Sequence, residues 1–169
     1  MNNNDILIRL RYALDIKDTD MVEIFGLGGF NTTKENLQKM LTKLKSTETE
    51  TDEFGENKYV EECDNNMLDS FLDGFIIFKR GRQNSKSAEP QKQNLNDRSV
   101  NNILLKKVKI ALSLTSEDIL DILDDVDVNL SKSELSAVLR KEGHRNYKEC
   151  GDRYARNFLK GLALRYRAS

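Results

Sequence analysis

Cys63, Cys150 and His144 are the side chains best suited to covalent or metal chemistry, and the sequence has no other cysteine or histidine. A thiol beside an imidazole can act as a nucleophile, and His144, Cys150 and Asp152 lie close along the chain. A zinc site, however, needs a full tetrahedral set of ligands, and nothing like a histidine precedes Cys63 at the place that matches His144. The residue types therefore favour two small apolar cysteines at the entrance to a helix. No catalytic residue, metal ligand or cofactor site is assigned, and the chain is read as not an enzyme.

Two other stretches invite a chemical reading. Gly26-Leu27-Gly28-Gly29 has the look of a phosphate loop, but it follows a helix rather than a strand and lacks the lysine and hydroxyl of a P-loop. Helix termination explains it better. The acidic run Asp118, Asp121, Asp124, Asp125, Asp127 raises the question of calcium. An EF-hand loop wants glycine at its sixth position and glutamate at its twelfth; counted from Asp121, those places hold Val126 and Lys132, and counted from Asp125 the sixth is Leu130. The run reads as a solvated helix face.

Charge distribution is the more useful clue. The net charge of −1 hides strong segregation. Basic residues prevail from Lys79 to Lys109 and again from Lys132 to Ser169, and the compensating acid sits in the middle of the first half and from Glu117 to Asp127. The last helical stretch carries Arg153, Arg156, Lys160, Arg165 and Arg167 with Tyr154 and Tyr166 interleaved. Such a face can track phosphates, or it can be an ordinary solvated face whose terminal cations are favoured by the helix dipole. A helix–turn–helix comparison over Leu114 to Leu135 is weakened by acid at Asp124, Asp125 and Asp127, which would repel phosphate.

These residues are carried by a repeated framework. Placing Asn4 over Asn102 aligns Leu7 with Leu105, Ala13-Leu14 with Ala111-Leu112, Asp20 with Asp118, Ile24 with Ile122, Leu37 with Leu135 and Lys43 with Lys141, without a gap. The register breaks before the cysteines, where the first copy is longer. It resumes from Cys63 over Cys150 through Phe71/Phe158, Leu72/Leu159, Gly74/Gly161 and Arg80/Arg167. The chain is a tandem duplication. Repeat 1 covers residues 1–81, with an acidic insertion at 46–57; residues 82–98 form a polar linker with the single proline; repeat 2 covers 99–169.

Each copy predicts four helices, making the fold all-α. The first spans Asn4 to Leu14, with Ile6, Leu7, Leu10 and Leu14 on one face, and its twin carries Leu104, Leu105, Val108 and Leu112. The second runs from Asp18 to Leu27, and its twin begins at Thr115-Ser116-Glu117-Asp118. Capping boxes Thr32-x-x-Glu35 and Ser131-x-x-Glu134 announce the third, with Leu37, Met40, Leu41 and Leu44 facing inward. The fourth runs from Asn65 to Lys79, with Phe71 and its twin Phe158 in the core. Gly74 and Gly161 sit inside it, where glycine costs about 0.8–1 kcal/mol against alanine; matching exceptions predict a close helix crossing.

At 169 residues, 38% hydrophobic and 33% charged, the chain can fold as one domain or two small ones. No apolar run approaches the roughly 20 residues needed to span a bilayer, and Met1-Asn2-Asn3-Asn4-Asp5 has no signal-peptide character. Two cysteines make no disulfide framework. A bacterial cytoplasmic protein is expected.

The stretch Asn3-Asn4-Asp5-Ile6-Leu7-x-Arg9-x-Arg11-Tyr12-Ala13-Leu14, with Phe71-Leu72-x-Gly74-Phe75-Ile76-Ile77 ending in Lys79-Arg80-Gly81, resembles the bacterial YehS-like family (domain of unknown function 1456). So do Asn101 to Leu112 and Lys148-Glu149-Cys150-Gly151-Asp152 to Arg167. The resemblance implies small cytoplasmic proteins with two copies of the domain, and it brings no active site. The function expected is a non-catalytic helical interaction module with a protein partner. The alternative is a nucleic-acid-binding regulator using Arg153, Arg156, Lys160, Arg165 and Arg167. Because repeat 2 closes the same connection without the acidic insertion, deletion of residues 46–57 should leave a single cooperative thermal transition, measurable by scanning calorimetry; its loss would show that the insertion belongs to the fold.

Overall fold

The computed structural model describes residues 2–43, 58–81, 99–141 and 143–167. The whole acidic insertion, the whole linker and Leu44 thus lie outside the described residues, as do the expectations placed on them. Repeat 1 forms α1 (Asn3–Leu14), α2 (Asp18–Leu27), α3 (Lys34–Leu41) and α4 (Asn65–Arg80). Repeat 2 forms α5 (Val100–Ala111), α6 (Ser116–Asp124), α7 (Lys132–Leu139) and α8 (Asp152–Arg167). Among the described residues there is no strand, only an isolated antiparallel bridge between Lys43 and Tyr59. The fold is an all-α duplicated repeat.

Local chemistry sets the helix ends. Asn2 caps α1 by accepting from the Asp5 N–H, and the Asp5 carboxylate accepts from the Asn2 N–H in return. Thr115 and Asp118 form the same box on α6. The cap of α3 is displaced by one residue from the expected Thr32. Thr33 holds the extended conformation and accepts from the Asn36 N–H at 3.1 Å, so Glu35 stands in the first turn, where its charge complements the dipole, rather than closing a box. On α7, Ser131 accepts from the Glu134 N–H, and its hydroxyl donates to the Glu134 carboxylate.

The duplication extends to backbone details. α1 is followed by Asp15 at φ 51°, and its counterpart Ser113 stands at φ 54°. After α2 the chain turns through Gly29 at φ 97°, and after α6 through the matching Asp127 at φ 62°. Phe71 and Phe158 are both fully buried. Around Phe71 the core is aromatic, with Phe25 at 5.0 Å and Phe75 at 6.2 Å between ring centroids. Around Phe158 the matching positions are Leu123 and Leu162.

The glycines inside the fourth helices do mark close crossings. A Cβ on Gly74 would stand 1.8 Å from the Ile24 carbonyl oxygen of α2, and a Cβ on Gly28 would stand 1.6 Å from the Ser70 carbonyl oxygen of α4. In repeat 2 a Cβ on Gly161 would meet the Ile122 oxygen at 2.5 Å. This crossing is looser, and Val126 stands at the place of Gly28. Both Gly74→Ala and Gly161→Ala should destabilise the protein, since the obstructing atoms are backbone. Gly74→Ala should cost more, about 2–3 kcal/mol at the upper end of overpacking penalties, as read from urea midpoints at constant m-value.

Candidate functional site

The asparagine pair at the start of each repeat holds it shut. Asn4 is buried; its side-chain amide donates to the carbonyls of Met40 and Glu61, both at 2.9 Å, and its oxygen accepts from the Cys63 N–H at 2.9 Å. Asn102 does the same with Val138, Lys148 and the Cys150 N–H. Asn3 donates to the Cys63 carbonyl and Asn65 Oδ1, and Asn101 donates to the Cys150 carbonyl and Asp152 Oδ1. One side chain thus ties three segments: the first helix, the end of the third, and the entrance to the fourth. Tyr59 adds a hydrogen bond from its hydroxyl to Asp5.

The cysteines lie inside these clasps. Burial, with Asp64 adding to it, pushes the Cys63 thiol up to about 12, and burial pushes Cys150 to about 12 as well. Both stay protonated at neutral pH, which suits packing and not nucleophilic attack. His144 is exposed, and its Nδ1 accepts from the Asn146 N–H. Among the described residues no group of three metal-ligating side chains comes together, and no helix is long and apolar enough to cross a membrane.

The two repeats exchange helices. α1 packs on α8 and α4 packs on α5, far more closely than either repeat packs its own first helix on its own fourth. The two junctions correspond under a pseudo-twofold. Arg80 at the end of α4 donates to the Ile110 carbonyl of α5 at 3.2 Å, and its counterpart Arg167 donates to the Tyr12 carbonyl of α1 at 2.8 Å. Tyr12 matches Ile110 in the duplication. At the α4–α5 junction the Lys107 ammonium lies 2.6 Å from Asp69 and 2.5 Å from Asp73, all three residues being buried.

Of the five basic residues singled out on the last helix, two are engaged within the molecule. Arg165 donates to the Asp118 carbonyl and lies 3.8 Å from its carboxylate. Arg167, besides its bond to Tyr12, sits 4.2 Å over the Tyr12 ring and 3.7 Å from Asp15. Arg153, Arg156 and Lys160 are exposed and form no hydrogen bond or ion pair with the described residues. Their spacing places them on one face of α8, opposite the buried Ala155, Phe158 and Leu162. Tyr154 does not join them; it is half-buried, its hydroxyl lies inside, and burial pushes its pKa upward. The acidic Asp121, Asp124, Asp125 and Asp127 are exposed on and after α6, which packs on α8.

Together the duplicated repeat, the exchanged helices and the paired asparagine clasps describe a class of protein built from two copies of one helical domain. The family profile described as "Protein of unknown function (DUF1456)" matches residues 3–81 and 101–168, and the chain belongs to that family. It is similar to "Uncharacterized protein YehS" of Escherichia coli (strain K12), with 39% identity over 165 residues, covering 98% of this chain and 96% of the relative. No solved structure matches it.

Apolar periodicity alone does not mark the asparagine clasps or the buried Lys107 as structural devices. Asn4 over Asn102 was the signal for the clasp, an amide at the same duplicated place beside an apolar stripe. Lys107→Met should remove the buried ammonium that Asp69 and Asp73 share, at a cost of about 3–5 kcal/mol. Replacing all three by apolar residues (Asp69→Leu, Asp73→Leu, Lys107→Met) should recover most of that loss in equilibrium denaturation.

Proposed function

We propose that this chain is a non-catalytic interaction module of the cytoplasm whose partner is a protein with an acidic surface. The observation that carries the reading is the exposed stripe Arg153, Arg156 and Lys160, which forms no hydrogen bond or ion pair with the described residues. Leu164 and Tyr166 are exposed nearby on the same helix, and cationic groups beside apolar ones suit a protein surface. The buried, protonated thiols support a non-catalytic role.

A second reading, a nucleic-acid-binding regulator, draws on the same stripe. The acidic surface of α6 beside it favours the protein partner, because an extended polyanion lying along α8 would meet that field as well. Direct titration with random duplex and single-stranded oligonucleotides at low salt separates the two. We expect no binding at tens of micromolar, the weak end of non-specific association, and nuclease-insensitive capture of a partner. That capture should be lost in Arg156→Glu/Lys160→Glu without a lower melting temperature. Oligonucleotide binding whose log–log salt slope steepens by about 0.9 per phosphate contact would instead establish the second reading.

A further inference from the structure

The pseudo-twofold makes the α4–α5 and α1–α8 junctions two copies of one interface, but their charges are opposite in kind. Lys107 corresponds to Arg9 on α1, Asp69 to Arg156 on α8, and Asp73 to Lys160 on α8. Where one junction holds a buried cation between two carboxylates, the other has three cations. Matching contacts fix the equivalence, since Arg80 to the Ile110 carbonyl and Arg167 to the Tyr12 carbonyl are the same bond made one turn or so further along each junction. Arg9, Arg156 and Lys160 are all exposed, and none forms a hydrogen bond or ion pair with the described residues. Of the carboxylates one turn away, Asp5 closes the cap of α1 and accepts from Tyr59, and Asp152 accepts from Asn101 while the Arg156 charge acts on it without forming an ion pair.

We propose that Arg9, Arg156 and Lys160 form an anion site across the α1–α8 junction that takes a multiply charged phosphate group, either the end of a phosphomonoester or an oligophosphate. Three like charges gathered on two packed helices repel one another unless an anion lies among them. Guanidinium groups present paired N–H donors that match phosphate oxygens, and an ammonium adds a point charge. The anion would stand where the two carboxylates stand in the other junction, completing the charge pattern of that interface with a ligand. A cluster of cations at one place suits a group of concentrated charge better than a phosphodiester chain, whose charges are spread one to a residue. The proposal rests on the reading of α8 as a binding face, and it adds the chemical class of a ligand.

The test is the melting temperature of the full chain in sodium tripolyphosphate against sodium chloride of equal ionic strength, with a third arm containing an oligonucleotide that lacks terminal phosphates. We expect a saturable rise with tripolyphosphate and none with chloride or the oligonucleotide. No rise with tripolyphosphate, or a larger one with the oligonucleotide, overturns the site, whatever becomes of the protein-partner reading. Arg156→Asp/Lys160→Asp gives α8 the two carboxylates that α4 carries. It should abolish the tripolyphosphate response and raise the anion-free melting temperature, because Arg9 then has partners. A retained response, or a lowered anion-free melting temperature, overturns the juxtaposition. Arg9→Gln, at an exposed position, should weaken the response while Arg153→Gln leaves it intact; the reverse pattern also overturns the proposal.

Discussion

Neither repeat can bury its first and fourth helices by itself, and this constraint organises the molecule. Within a repeat those two helices barely meet, so α1 is covered by α8 and α4 by α5. The apolar core accordingly runs as one cluster through both halves, from Ile6 to Leu162. A single copy would be a small helical unit, and small units bury a low fraction of their surface. Duplication removes the problem by giving each exposed helix face a complementary one, in the manner of an isologous dimer joined into one chain.

Once the halves are joined, each can diverge at positions its twin tolerates differently. Repeat 1 brings α2 and α4 almost into backbone contact through Gly28 and Gly74 and fills the remaining space with the rings of Phe25, Phe71 and Phe75. Repeat 2 keeps Gly161 but has Val126, Leu123 and Leu162 at the other matching places, with the helices further apart. What does not diverge is the polar hardware. Asn4 and Asn102 satisfy the same buried backbone groups, and the strand-like approach to each cysteine makes the same bond, from Glu61 to the Lys39 carbonyl and from Lys148 to the Ala137 carbonyl. A buried donor or acceptor left unpaired costs more than a methyl group misplaced, so the hydrogen-bonded clasp has less freedom to change than the apolar packing around it.

That difference also explains what could be read from the sequence. The eight helices, the buried Phe71 and Phe158, and the close crossing at Gly74 and Gly161 were legible because apolar periodicity and glycine are local signals repeated twice. The cap of α3 was misplaced by one residue because Thr32 and Thr33 are adjacent and either hydroxyl can start a helix. The roles of Asn4, Asn102 and Lys107 were not legible. A polar residue inside a helix reads as solvent-facing until its tertiary partners are known, and those partners lie 34 to 59 residues away. The basic residues of α8 were visible as a set. Their division into tied Arg165 and Arg167 and unengaged Arg153, Arg156 and Lys160 needed the neighbouring α1 and α6.

Charge is where the two halves of the pseudo-symmetric interface part company. A buried Lys–Asp–Asp cluster gives little net stability compared with apolar packing, but it fixes which faces of α4 and α5 meet, since any other register leaves a charge unpaired. The α1–α8 junction lacks this lock and is held instead at its end by Arg167, which grips the Tyr12 carbonyl, ring and Asp15 together. These contacts are exposed and therefore individually weak. One junction is thus fastened by its own charges, and the other keeps its cations facing solvent beside a weaker fastening. Of the two copies of the interface, the second is the one whose electrostatics an external ligand can change.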